Sequence, residues 1–388
     1  MRNVLAQDIA DRYAIYHADC VDVMQSMPDN SVHFSVFSPP FASLYTYSAS
    51  PRDFGNVANH DEFHEQHQFM IRELFRVLKP GRLASIHCML LPTSKMRDGF
   101  IGLSDFRGQL IRACQREGFV FHSEVAIWKD PVQAMQRTKA LGLLHKQIKK
   151  DSAMSRQGIN DYLVTVRKPG ENAERIAHTD ETFPVDLWQR YASPVWATVE
   201  DHESTLSTGF HNGKTDNERA RVSALCRDDM ARAATLGPDI NPSDTLQFRS
   251  AREDDDERHI CPLQLEVIRR AILLWSNPGE VVFSPFTGIG SEGYVALGEG
   301  RRFVGAELKE SYYRMARQNL AMVAAASAAA QHQTQTMVGG GTQTQSQTGP
   351  SGAQSQSQTA PAGAPESKQT QSQNAVLDIV AQWKRGPK

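Results

Sequence analysis

The sequence predicts an α/β fold: a mostly parallel sheet, mixed at its edges, with helices on both faces. Three observations point there. Short apolar runs that read as buried strands recur at 32–37 (VHFSVF), 83–88 (LASIHC), 281–283 and 303–306. Between them, 61–78 and 262–275 have helical periodicity, the first closed by Lys-Pro-Gly at 79–81. One strand–glycine turn–helix–strand unit spans 280–308. Strands that alternate with helices pair in parallel, because each helical crossover returns the chain to the same end of the sheet. The segments 119–128 (FVFHSEVAIW) and 162–167 (YLVTVR) read as further strands.

Composition excludes several classes. The 388 residues are 40% hydrophobic and 22% charged, ordinary for a soluble globular chain. No apolar run approaches the ~18 residues of a membrane span. The start, MRNVLAQDIADRY, carries charges where a signal peptide needs an apolar stretch. Cys20, Cys88, Cys114, Cys226 and Cys261 are dispersed, with no CxxC pair. Such a set reads as reduced thiols in a cytoplasm, with neither a disulfide frame nor a metal site. A net charge of −2 carries no global nucleic-acid signal, so any such surface has to be local.

Four segments follow. Residues 1–130 and 259–323 carry the strand and helix signals, and 131–258 is polar and irregular, read as an inserted, substrate-facing region. Within it lie Arg137, Lys139, Lys146, Lys149, Lys150 and Arg156, against the single acid Asp151. That basic stretch is either a solvated face or a phosphate-contacting surface. The acidic run Glu253–Glu257 reads as a solvated loop. Residues 324–388 are rich in Gln, Ser, Thr, Ala and Gly and are expected to be disordered. They end in AVLDIVAQWKRG, where Val376, Ile379, Val380 and Trp383 would share a helical face, either a weakly structured end or a helix for a protein partner.

The stretch EVVFSPFTGIGSEGYVALGEGRRFVGAEL (280–308) runs a strand into Gly288-Ile-Gly290-Ser-Glu-Gly293, then a helix, then a strand ending at Glu307. Glycines let a turn approach a ligand without a Cβ clash, and a carboxylate at the second strand's end can accept hydrogen bonds from both ribose hydroxyls. Together they indicate an adenosine-containing cofactor. The glycines do not choose among such cofactors; a nicotinamide dinucleotide fits the same spacing.

The strand VHFSVF ends abruptly in Ser38-Pro39-Pro40-Phe41. Two prolines remove two backbone donors and fix the chain, which makes either a rigid corner or a place where carbonyls face a ligand. An exocyclic base amine is a poor nucleophile because its lone pair is delocalised into the ring. Acceptors at both amine hydrogens, such as the Ser38 hydroxyl and the Pro39 carbonyl, favour a pyramidal nitrogen able to attack a methyl sulfonium. Phe41 can stack on the base, which has to leave the duplex first. Tyr45, Tyr47 and Phe54 follow closely.

The order SPPF, variable region, FTGIG resembles the β class of DNA N4-cytosine/N6-adenine methyltransferases, phage-type DNA methylases in particular, over about 13–170 and 259–320. HADCVDVMQSMPDNSV (17–32) resembles the segment leading into the catalytic strand, RVLKPGRL (76–83) the family's helix-to-strand corner, and His259-Ile-Cys261-Pro262 the segment before the glycine motif. The resemblance implies a Rossmann-like methyltransferase fold in which the catalytic motif precedes the glycine motif. It implies S-adenosyl-L-methionine as cofactor and double-stranded DNA as substrate. Asp19, Cys20, Cys261, Ser284, Phe286, Thr287, Gly288, Gly290 and Glu307 would then bind the cofactor, and Ser38, Pro39, Pro40 and Phe41 would act on the base. The family more often has Asp where Ser284 stands. The serine of SPPF favours cytosine N4 over adenine N6. C5 methylation needs a cysteine nucleophile, usually in a Pro-Cys motif, and no Pro-Cys dipeptide occurs. The stretch 198–238 is an insertion relative to the family pattern. The rival readings are a nicotinamide oxidoreductase, an amine methyltransferase acting on RNA or protein, and a catalytically silent DNA-binding relic.

Overall fold

The computed structural model describes residues 3–40, 60–93, 95–129, 145–197, 240–241, 244–247 and 262–339. In chain order the strands are β1 (Ala6–Ile9), β2 (Tyr13–His17), β3 (Val32–Phe37), β4 (Leu78–Met89), β5 (Leu91–Pro92), β6 (Leu103–Ser104), β7 (Val120–Trp128), β8 (Asp161–Arg167), β9 (Val195–Ala197), β10 (Val281–Ser284) and β11 (Arg302–Glu307). The helices are α1 (Cys20–Gln25), α2 (His60–Val77), α3 (Lys95–Asp98), α4 (Phe106–Arg116), α5 (His145–Lys150), α6 (Val185–Tyr191), α7 (Leu265–Trp275), α8 (Ser291–Gly298) and α9 (Glu310–Gly339).

The nine-stranded sheet has the order β1-β2-β11-β10-β3-β4-β8-β7-β9, and β5 pairs with β6 in a separate ribbon. From β2 through β11, β10 and β3 to β4 every pairing is parallel. β1 and β8 run against their neighbours, and β7, antiparallel to β8, returns to the direction of β4. The expected mixed, mostly parallel sheet with helices is thus formed, joining residues from both ends of the chain.

Alternation along each strand supplies two cores. Tyr16, Phe37, Phe283 and Val304 face one side, with Met70 and Leu74 of α2 and Phe106 and Leu110 of α4. Ile15, Phe34, Val36, Val282 and Phe303 face the other, with Ile268 and Ile272 of α7, Leu297 of α8 and Leu320 of α9. Strands buried on both faces carry little polar alternation, which explains the continuous apolar runs in the sequence. Each fully buried side chain of this size contributes ~1.5–3 kcal/mol.

The amino ends of the central strands are tied by charge. Arg82 of β4, fully buried, pairs with Glu280, just before β10. His33 of β3 accepts the Val281 N–H at its Nδ1, 3.1 Å away. Burial pushes the His33 imidazole down to about 4. Ligand atoms of His33, Glu174 and Glu280 lie within 4.8 Å of one another, but Lys79 and Arg82 already pair with the two carboxylates.

β8 matches the strand read at 162–167, whereas other elements depart from the sequence reading. β9, also within 131–258, adds an edge strand to the main sheet that the sequence reading lacks. The disorder expected from 324 is corrected over its first part, since α9 continues to Gly339. The Ala-rich run 324–330 has high intrinsic helix propensity and extends a helix already nucleated on the core. Residues 340–388, with the terminal apolar face, lie outside the described residues, as does most of 198–261. Among the described residues, no helix is long and apolar enough to cross a membrane.

Candidate active site

β10 and β3 are adjacent and parallel, but the chain leaves them in opposite directions, β10 toward β11 and β3 toward β4. Such a switch in strand order opens a crevice at the carboxyl ends of the strands. Both sequence motifs emerge there. Phe37, at the end of β3, and Phe286, after β10, have ring centroids 5.8 Å apart. His67 of α2 stacks on Phe286 at 6.2 Å. The Ser35 hydroxyl donates to the Phe283 carbonyl at 2.9 Å, joining the two strands across 248 residues of chain.

On the β10 side, Ser284-Pro285-Phe286-Thr287-Gly288-Ile289-Gly290 turns into α8. Gly288 has φ +54°, and a Cβ there would meet nothing within 4 Å. The turn therefore opens on space while adopting a backbone that side chains resist. Gly293 does a different job: its Cβ would fall 2.6 Å from Leu320 and Phe303, so glycine lets α8 sit close to β11 and α9. Thr287 is buried, its N–H bonded to the Ala306 carbonyl at 2.9 Å and its hydroxyl donating to the Ser284 carbonyl at 3.3 Å.

Glu307, at the end of β11, accepts hydrogen bonds from Gly288 N at 2.7 Å and from Lys309 N at 2.8 Å, one on each carboxylate oxygen. A carboxylate accepts hydrogen bonds and donates none, which is the chemistry a ribose diol requires of its partner. Asp19 follows β2 and caps α1, accepting from Val21 N at 2.8 Å. The Ala18 N–H donates to the Glu307 carbonyl at 3.0 Å, which sets Asp19 and Cys20 beside Glu307. Burial raises the Cys20 thiol well above its ordinary value, with the charge of Asp19 adding, so it is a packed neutral thiol.

The hydroxyls of Ser284 and Ser291 are buried without a hydrogen-bond partner among the described residues. Each such orphan costs ~1–3 kcal/mol unless a ligand satisfies it. Two orphaned hydroxyls beside an open glycine turn, with a carboxylate at the next strand end, fit a cofactor with a polar amino-acid end and a ribose. S-adenosylmethionine has both.

On the β3 side, Ser38 is half-buried, Pro39 buried and Pro40 half-buried. Phe41, Tyr45, Tyr47, Phe54, Cys261, Arg137 and Lys139 lie outside the described residues. Ser38 Oγ is 3.0 Å from His87 Nδ1, at the end of β4. His87 Nε2 is 2.9 Å from Asp161 Oδ2, at the start of β8. Lys129, just after β7, pairs with the same carboxylate oxygen. Burial alone would raise the Asp161 carboxyl, but the Lys129 ammonium and the His87 hydrogen bond hold it below the usual carboxylate range. Sequence reasoning misses His87, Asp161 and Lys129. The available signal is weak: a histidine near the end of an apolar run, LASIHC, and an aspartate heading another, DYLVTVR.

The basic stretch leaves from the same end of the sheet. β7 runs in the direction of β4, so its connection to β8 begins and ends at the carboxyl side, as the Asp161–His87 contact confirms. Lys146, Lys149 and Lys150 of α5 are exposed, and Arg156 is half-buried.

Comparison with known proteins agrees with this layout. Residues 32–318 match the family model described as DNA methylase, for N6 and N4 methyltransferases. The DNA adenine methyltransferase YhdJ of Escherichia coli K12 is 24% identical over 212 residues, covering 52% of this chain and 71% of that protein. The type II methyltransferase M.BglI of Bacillus subtilis is 21% identical over 326 residues, covering 79% and 85%. A putative DNA modification methylase from Thermus thermophilus, solved with S-adenosyl-L-methionine, shares the fold at a TM-score of 0.51 and 20% identity, covering 81% of this chain and 94% of that one. The family model spans the chain from the strand that delivers Ser38 into the helix beyond Glu307, and the protein belongs to the DNA methylase family of N6 and N4 methyltransferases.

Proposed function

We propose that this protein transfers a methyl group from S-adenosylmethionine to an exocyclic amine of a base in duplex DNA, cytosine N4 in preference to adenine N6. The observation that carries this is the meeting of Ser38-Pro39-Pro40 with the glycine turn at one crevice, through the Phe37–Phe286 contact. Bound S-adenosylmethionine supplies an electrophilic methyl on a sulfonium. Glu307 receives the ribose, Asp19 and Cys20, with Cys261, border the adenine, and Phe286, Thr287, Gly288 and Gly290 shape the turn. Ser284 receives the amino-acid end that an aspartate would more often hold in the family.

Ser38 and Pro39 accept hydrogen bonds from the target amine, and Phe41 stacks on a base flipped out of the duplex, since an amine within the stack is out of reach. A neutral serine at the head of the motif favours cytosine. Lys146, Lys149 and Lys150, with Arg137, Lys139 and Arg156, contact phosphates. A nicotinamide oxidoreductase would share the turn and Glu307 but leave Ser38-Pro39-Pro40 without a task.

Long-read modification sequencing of DNA from cells expressing the protein tests this reading. The expected result is N4-methylcytosine at one recurrent sequence. N6-methyladenine would reverse the base preference, and unmodified DNA beside methylated RNA or protein would overturn the substrate.

A further inference from the structure

We propose that His87 is a positioning residue: it holds the Ser38 hydroxyl as an acceptor facing the base amine and takes up the proton released there, with Asp161 and Lys129 fixing its tautomer. This rests on amine methylation as the reaction.

The polarity follows from one end of the chain of contacts. Asp161 is buried and paired with Lys129, so it is ionised and can only accept. The proton between it and His87, 2.9 Å apart, therefore belongs to Nε2. A neutral imidazole protonated at Nε2 has a bare Nδ1, which accepts from the Ser38 hydroxyl 3.0 Å away. Ser38 is then left with lone pairs, and no proton, for the crevice. A serine hydroxyl alone can donate or accept; this arrangement chooses the sense that an amine requires. An aspartate at the same place would need no such device, which accounts for three further residues being committed to a serine.

The same contacts give the proton a path. The amine nitrogen gains a bond to the methyl carbon, the carbon–sulfur bond breaks and its electron pair stays on sulfur. The methylated nitrogen, now cationic, passes a proton to Ser38 Oγ as the Ser38 proton moves to His87 Nδ1. The imidazolium formed is neutralised by Asp161, as in a hydrolase triad, and its proton returns to solvent after turnover. Protonating His87 beforehand reverses the sense: Nδ1–H donates to Ser38, whose own hydroxyl then points at the amine. Among the described residues, the charged and titratable groups in this layer include Arg107 of α4, paired with Glu124 at 3.1 Å, and the buried Cys88 and Cys114 thiols, both pushed up by burial. Neither Arg107 nor Cys88 can stand in as a proton acceptor.

Two measurements decide. In histidine-labelled free protein, nitrogen NMR should show a neutral ring with Nε2 protonated that disappears in His87→Asn. In Asp161→Asn the same ring should lose its single tautomer. His87→Asn keeps an acceptor near Nδ1 but cannot take up a proton. Its single-turnover rate should fall tenfold or more with DNA and cofactor affinities unchanged, and the acid-side loss of rate expected of the wild type should be absent. A wild-type His87 protonated at Nδ1, or a His87→Asn enzyme with full rate and an intact acid limb, overturns the proposal. Wild-type protein that methylates no base amine would instead refute the reaction, while the tautomer would still decide the polarity of Ser38.

Discussion

Glu307 accepts the backbone N–H of Gly288 at 2.7 Å, locking the end of β11 to the turn after β10 across 19 residues of chain. The carboxylate that should hold the ribose also holds the turn that should face the methionine end. Glu307→Ala is therefore expected to weaken S-adenosylmethionine binding by roughly 1.5–3 kcal/mol, the worth of hydrogen bonds to a charged group. Gly288→Val should be worse, because it places a branched side chain at φ +54° and in the open space before the turn. Calorimetric titration checks both; unchanged affinity in the two variants would move the cofactor elsewhere.

Ser38→Ala removes an acceptor whose bond to the amine strengthens as the nitrogen becomes pyramidal. Such an interaction acts on turnover more than on affinity. The expected loss in kcat is roughly ten- to a thousandfold, with DNA affinity nearly unchanged. Ser38→Asp should recover part of it by supplying a permanent acceptor. Single-turnover rates at saturating cofactor and DNA are the measurement, and full turnover by Ser38→Ala would refute the assignment.

Lys146, Lys149 and Lys150 stand exposed on α5, in a connection that leaves the sheet at the crevice end. Replacing all three with Ala should weaken binding to every DNA sequence alike. The slope of log affinity against log salt should flatten by about 0.9 for each lost phosphate contact. An unaltered slope would make them a solvated face.

Glu292, in the first turn of α8, is buried, and burial pushes its carboxyl up to about 8, with the charge of Glu307 adding. In the unfolded chain the group titrates near its ordinary value of 4.5. The folded state therefore binds the proton more tightly, and the stability this contributes is complete below about pH 4.5 and is lost as pH rises through 8. Glu292→Gln should melt above the wild type at alkaline pH, since each pH unit separating the folded from the unfolded titration is worth ~1.36 kcal/mol, and the advantage should fade toward the acid end of that window. Melting curves across pH read the difference; a constant offset would mean the charge of Glu292 is not what matters.

The strands and the two motifs were legible in the sequence because their signals are local. VVF of β10 is an unbroken apolar run because that strand is covered on both faces, VHFSVF admits only His33 and Ser35 among apolar residues, and a turn that needs positive φ shows its glycines. β1, β2, α1 and α4 carry no such signal. β2 is buried along its whole length, yet YAIYH mixes aromatic and polar residues, so its short run has no clean apolar pattern. The Ala-rich run was visible too, but composition alone could not show that α9 already packs its preceding turns on the core through Tyr313, Ala316 and Leu320.

The sequence by itself determined which residues have the chemistry: an acceptor before two prolines, a glycine turn, a carboxylate nineteen residues beyond Gly288. Only the tertiary structure decided that these meet, since nothing local says that β3 pairs with β10, 248 residues apart at Ser35 and Phe283. It also decided which side chains surround Ser38. His87, Asp161 and Lys129 come from the ends of three different strands, β4, β8 and β7, and a hydrogen bond fixes distance in space while imposing no spacing along the chain.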